Sequence, residues 1–142
     1  MRIYVPTTFD RLRGWYDSGV LASPVAAYAA TESVRQTIPD IGDDEAEYAI
    51  VSAAAEASQQ LLTDDFHEHG RRVVVVAEMP YASVESDPDH PGAVTVVAPI
   101  EREQISAALA DGHPVALSGH LDDLSWFATQ EIPQLLASSA GD

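Results

Sequence analysis

The sequence predicts an α+β fold: a mixed four-stranded sheet with helices mainly on one face. Three features carry this reading. Val73-Val74-Val75-Val76 and Val94-Thr95-Val96-Val97 are β-branched runs suited to sheet interiors. Residues 43–62 place apolar side chains at helical spacing over a wide face. The elements come in the order β-α-β-α-α-β-β-α-α, so the first β-α-β can form a parallel crossover and the later strand pair a hairpin.

Ile3-Tyr4-Val5 reads as a short buried strand closed by Pro6. Thr7 or Thr8 is a natural N-cap for a helix carrying Phe9, Leu12 and Trp15 or Tyr16 on one side, and Gly19 can end it. Val25 to Ala30 reads as a second strand, and Thr31 caps a short helix that stops before Pro39. Asp40 to Asp44 is a turn. Asp43, Asp44 and Glu45 then occupy the first turn of the long helix, where the positive end of its dipole favours them. Tyr48, Val51, Ala55 and Leu62 lie on one stripe and Ile50, Ala54, Ala57 and Leu61 on the next, with Glu56, Gln59 and Gln60 pointing away.

Arg71 to Met79 is a strand whose valines suit burial on both faces or a central place in the sheet. Pro80 to Gly92 has loop chemistry, Ala93 to Ile100 is the next strand, and Glu101 to Ala110 reads as a short helix stopped by Asp111-Gly112. Val115 to Leu117 suits a small edge strand. Ser118 can cap a last helix carrying Leu121, Leu124, Ala128, Leu135 and Leu136, kinked at Pro133. One domain is expected over residues 1–137, with a frayed tail over 138–142.

The composition excludes several functions. There are 23 acidic residues against 7 basic ones, all arginine, for a formal net charge of -16. Such a surface repels nucleic-acid phosphate and anionic lipid and attracts basic partners. The acids are unevenly spread: residues 1–42 balance four acids with four arginines, 43–69 hold eight acids and no arginine, and 70–142 hold eleven acids and three arginines. Solubility or salt adaptation explains excess acid equally well. With no cysteine, thiolate chemistry and disulfides are out. The start shows no signal peptide and no apolar run spans a bilayer, so a cytoplasmic location is expected. The partner expected is a basic protein, with no nucleic acid, no membrane and no cofactor; the oligomeric state stays open.

Candidate chemistry is sparse. No Walker or glycine-rich dinucleotide motif is present. His67 and His69, within Asp64-Asp65-Phe66-His67-Glu68-His69, are the weak metal candidates; a solvated loop after a helix is the expected reading. Ser118, His120, Asp122 and Asp123 hold triad residue types, but a helix cap accounts for them, and no catalytic residue is assigned. Trp126-Phe127-Ala128-Thr129-Gln130-Glu131 is more unusual, with two aromatics followed by polar residues. Trp126 is expected in the core of a two-sided helix; the alternative is a binding surface shared with Gln130, four residues on.

Met1 to Pro6, Arg71 to Ala77 and Trp126 to Ile132 together resemble a family of small actinobacterial proteins that forms a domain of unknown function. The likeness runs over nearly the whole chain, although this sequence is shorter between Ile100 and Leu121 than that family leads one to expect. It implies a cytoplasmic actinobacterial protein and transfers no activity.

Two functional classes follow. The first is a non-catalytic binding or regulatory protein with an acidic surface. The second is a small enzyme or ligand-binding domain whose site lies between the first strand's end and the last helix, with Arg2, Tyr4, Thr8, Trp126, Gln130 and Glu131 converging there. A nucleic-acid mimic would need carboxylates spaced like phosphates.

Overall fold

A computed structural model describes residues 1–31, 34, 42–64, 69–111, 115–116 and 124–138. In chain order its elements are β1 (Arg2–Thr7), α1 (Phe9–Ser18), β2 (Val20–Leu21), β3 (Val25–Tyr28), α2 (Asp43–Asp64), β4 (His69–Gly70), β5 (Val73–Glu78), β6 (Val84–Ser86), β7 (Ala93–Val96), β8 (Ile100–Glu101), β9 (Ile105–Asp111), β10 (Val115–Ala116), β11 (Leu124–Ala128) and α3 (Ile132–Ser138). Single 3-10 turns precede β6, β9 and α3.

The fold is α+β, but among the described residues its main sheet has seven strands in the order β11-β9-β5-β1-β3-β7-β6, not four, and every pairing there is antiparallel. The expected parallel crossover is absent. Tyr4 pairs with Tyr28, so β3 runs back along β1 from the end where β1 finished. The six residues between α1 and β3 span roughly 20 Å when extended, enough to undo the travel of a ten-residue helix. Nor do β5 and β7 form a hairpin: β1 and β3 lie between them.

The helices also cover both faces rather than mainly one. Successive side chains of β5 point to opposite sides, and both sides are buried. Val73, Val75 and Ala77 pack with Ile3, Val5, Phe9 and Leu12, and with Ile132, Leu135 and Leu136 from α3. Val74 and Val76 pack with Tyr4, Ala46, Ile50, Ala54 and Ala107 under α2. Ser58, buried in α2, donates to the Thr7 carbonyl at 2.8 Å and accepts from the Val73 N–H at 3.0 Å, pinning the helix where β1 and β5 end their ladder. Tyr48, expected on the apolar face, is exposed.

Local signals at α1 act as expected. Thr8 accepts from the Arg11 N–H, and Gly19 adopts φ 82° and donates to the Trp15 carbonyl. Gly92 also has positive φ, at 91°, where the chain turns into β7 beside Ile50.

Three elements differ in kind from the sequence-based expectation. Residues 105–111 form the interior strand β9, not a helix. Alanine favours helix by only tenths of a kcal/mol per residue, and pairing with strands on both sides overrides that. Val84 to Ser86, within the expected loop, pairs with β7. Leu124 to Ala128 is a strand rather than part of a helix, and among the described residues of that expected helix the α-helical stretch is Ile132–Ser138, with Pro133 in its first turn, where a missing N–H costs nothing. The helix expected after Thr31 falls outside the described residues apart from Val34, as do Ser118, His120, Leu121, Asp122, Asp123 and the tail from 139. Val115–Ala116 is a short strand, paired with β4.

One end of the sheet is closed by charge. Arg72 and Asp111 are buried together, with Arg72 Nη2 2.9 Å from Oδ1 and Nε 3.0 Å from Oδ2. The Arg72 backbone N–H also donates to Oδ2, at 2.7 Å, and the Asp111 N–H donates back to the Arg72 carbonyl at 3.1 Å. Arg71 turns to the other face, donates to the Asp111 carbonyl and to Ser138 Oγ, and lies 4.5 Å over the Phe9 ring. Removing Asp111 strands a buried guanidinium, so Asp111→Ala should cost about 3–5 kcal/mol in a urea titration read by far-UV circular dichroism. Adding Arg72→Met should restore part of that loss. A cost below about 1 kcal/mol for Asp111→Ala would show that the pair is not sealed from water.

Candidate functional site

The residues expected to converge fall into two groups. Arg2 and Tyr4 project from β1 on the α2 face. Trp126 lies on β11, with β9 and β5 between the two strands. Register places Trp126 opposite Leu109, Leu109 opposite Val74, and Val74 opposite Pro6. Three strand spacings amount to about 14 Å.

The first group is a clamp between sheet and helix. Arg2 and Glu78 are cross-strand partners, and Arg2 Nε donates to Glu78 Oε1 at 3.1 Å. Arg2 Nη1 lies 3.4 Å from Glu47 Oε1 on α2. The Tyr4 hydroxyl donates to the same oxygen. Burial, then the adjoining Glu47 carboxylate, pushes the Tyr4 phenol from 10 up to about 12, against the opposing pull of Arg2. Glu78, before Tyr4, in turn holds the Arg2 guanidinium more firmly protonated. Sequence reasoning missed Glu47 and Glu78. Glu47 had a usable signal, because it borders the stripe through Ala46 and Ile50. Glu78 had none until the β1–β5 register was known.

Thr8 is buried and occupied as the α1 cap, and Arg13 pairs with Asp10 and donates to the Leu136 carbonyl. This helix N-terminus is thus engaged by its own cap. His69 lies in β4 and His67 falls outside the described residues. Among the described residues, no group of three or more metal-binding side chains forms.

The second group forms an edge. Trp126 is 55% exposed, which overturns its expected core position. The strand explains the change: Phe127 faces α3 and packs on the core, so its neighbour Trp126 must face the other way. On that side α2 lies over β3, β1 and β5. Trp126 therefore stands beyond the helix, next to the partly buried Leu109. Gln130 and Glu131 are exposed in the following 3-10 turn, and Glu131 Oε1 accepts from the Ala128 N–H at 3.0 Å. Thr129 Oγ1 anchors that turn to the Ile105 carbonyl at 2.8 Å.

Residues 1–120 match the model of a family of unknown function, DUF6912. The chain belongs to that family. The matched stretch contains the Arg2–Tyr4 clamp and the buried Arg72–Asp111 pair, while β11 and Glu131 lie beyond it. No curated protein and no solved structure matches the chain. No helix among the described residues is long and apolar enough to cross a membrane.

Two outcomes are expected. Because the folded Tyr4 phenol holds its proton more tightly than the unfolded one, its stabilisation is intact below pH 10 and is lost as the pH rises towards about 12. Urea titrations at about pH 9 and about pH 11 should show wild type losing more stability than Tyr4→Phe. Parallel losses would remove the phenol from the clamp. At the edge, Trp126→Ala should cost under about 1 kcal/mol, and Phe127→Ala, on the core side, distinctly more. A Trp126→Ala cost of about 3 kcal/mol would put the indole back in the core.

Proposed function

We propose that this chain is a non-catalytic binding protein that presents an acidic surface to a basic partner. The observation that carries the reading is the unequal fate of the two charges on folding. Arg71 and Arg72 are buried, and Asp111 is the one buried acid among the described residues. Arg102 is drawn under α1, where it donates to the Tyr16 carbonyl and lies 4.7 Å over the Tyr16 ring. Arg2 and Arg13 are engaged by Glu47, Glu78 and Asp10. Asp43, Asp44, Glu45, Glu56, Glu85, Asp89, Glu101 and Glu103 remain exposed. Arg11 stays exposed, but folding engages the other described arginines and leaves most of the described acids outside, which sharpens the imbalance already present in the sequence. A cytoplasmic, actinobacterial setting belongs to the same proposal.

The enzymatic alternative loses its main support, since Arg2 and Tyr4 on β1 stand three strand spacings away from Trp126 on β11. The reading is tested by capturing proteins from an actinobacterial lysate on the immobilised chain at low and at about half-molar salt, where screening reaches only a few ångströms. The captured proteins should be basic and should elute as salt rises. An acidic or salt-insensitive set would overturn the proposal.

A further inference from the structure

The two edges of the sheet are built differently. β6 is three residues long, Val84-Glu85-Ser86, with a carboxylate at its centre. Short, charged edges discourage pairing with other chains. β11 at the opposite edge is five residues long, Leu124-Ser125-Trp126-Phe127-Ala128, with no charge and no proline. Its ladder shows which backbone groups are open. The Ala128 N–H goes to Glu131 and not to β9. Antiparallel strands alternate, so the N–H and C=O groups of Leu124 and Trp126 point away from β9 as well. Asp111, the partner of Leu124, confirms this parity, because its own N–H donates across to Arg72 on the far side of β9. Among the described residues nothing pairs with the outer side of β11.

We infer that β11 is a docking edge that accepts an extended cationic segment of another protein as an added strand, with the Trp126 indole as its side-chain anchor. The inference rests on the acidic-surface reading and gives it a location. Main-chain hydrogen bonds to Trp126 supply the docking, as in other strand additions, and the exposed indole adds an amphipathic contact. Glu131 sets the end of the site: it consumes the Ala128 N–H and holds a carboxylate at the rim of the open edge. An incoming arginine or lysine meets that carboxylate. A second copy of this chain is disfavoured as the occupant, because each copy would bring a net charge of -16 and its own Glu131.

Fluorescence anisotropy at low salt tests this with labelled heptapeptides in which valine alternates with arginine, with threonine or with glutamate. The arginine peptide should bind best and the glutamate peptide not at all. Trp126→Ala should weaken the arginine peptide about tenfold. Trp126→Pro should weaken it further, because it removes an edge-facing N–H that β9 does not use. Glu131→Gln keeps an acceptor for Ala128 and should narrow the gap between the arginine and threonine peptides. Circular dichroism melts confirm that each variant is folded. Equal binding to wild type and the Trp126 variants would overturn the docking edge and leave the acidic-surface reading standing. Failure of every peptide, with basic proteins still captured from lysate, would do the same. Edge-dependent binding of the glutamate peptide as tight as that of the arginine peptide would overturn both. A dimer in sedimentation equilibrium that Trp126→Pro dissolves would make the occupant a second copy and overturn the cationic partner.

Discussion

Burying Arg72 with Asp111 is the constraint around which this fold is arranged. Taking two charges out of water is costly, and their attraction offsets the cost only when both are fully hydrogen-bonded. Here the Asp111 side chain accepts from Arg72 Nε, Nη2 and backbone N–H, while its carbonyl accepts from Arg71. Every one of those bonds requires β9 to end beside the start of β5. The pair therefore fixes the register of the two strands, and a slip of one residue would leave a charge buried and alone. The irregularity this register needs appears at the far end of the ladder, between Val76 and Ala77, where no buried charge depends on it.

From that register the two-sided burial of the sheet follows. Once Val73 faces α1 and α3, Val74 must face α2, and so on along β5. One long helix cannot cover seven strands, since strands stand about 4.8 Å apart and a helix with its side chains is about 10–12 Å across. It covers the three central strands, and the flanks of that face are left to their own side chains. On the β7 side the outward residue is Thr95, which needs no cover. On the β11 side it is Trp126. The exposed indole is thus a consequence of where the helix sits, and its chemistry is what distinguishes the two flanks.

The sequence disclosed the elements whose signals are local. Thr8 and Gly19 bound α1 because capping depends on a few adjacent atoms, and the valine run of β5 marks a strand buried on both sides by its composition. The long acidic-tipped helix was equally plain. What was not legible depends on partners distant in sequence. Arg72 and Asp111 are 39 residues apart, and nothing near either names the other. β9 is rich in alanine, so its intrinsic preference points to helix until flanking strands are supplied. β11 failed for a subtler reason: Leu124, Ala128 and Leu135 fit a helical stripe as well as Leu124, Trp126 and Ala128 fit one face of a strand. That ambiguity of period moved Trp126 from the surface into an expected core, and with it dissolved the convergence of Arg2, Tyr4 and Trp126 on one site.

The same distinction separates the two charged groups. At Arg2, Tyr4, Glu47 and Glu78, each charged group faces one of opposite sign or a hydroxyl, and together they tie α2 to β1 and β5. A ligand there would compete with these contacts for the atoms that hold the clamp together. Trp126 is the reverse case. Its backbone groups face outward, its indole rests on none of the described helices, and the nearby Glu131 carboxylate is already oriented by the Ala128 N–H. Glu131 holds its position before any partner arrives, so less side-chain freedom remains to be lost on association. An oriented acid at the end of an uncharged open edge favours an extended segment with a base near that end.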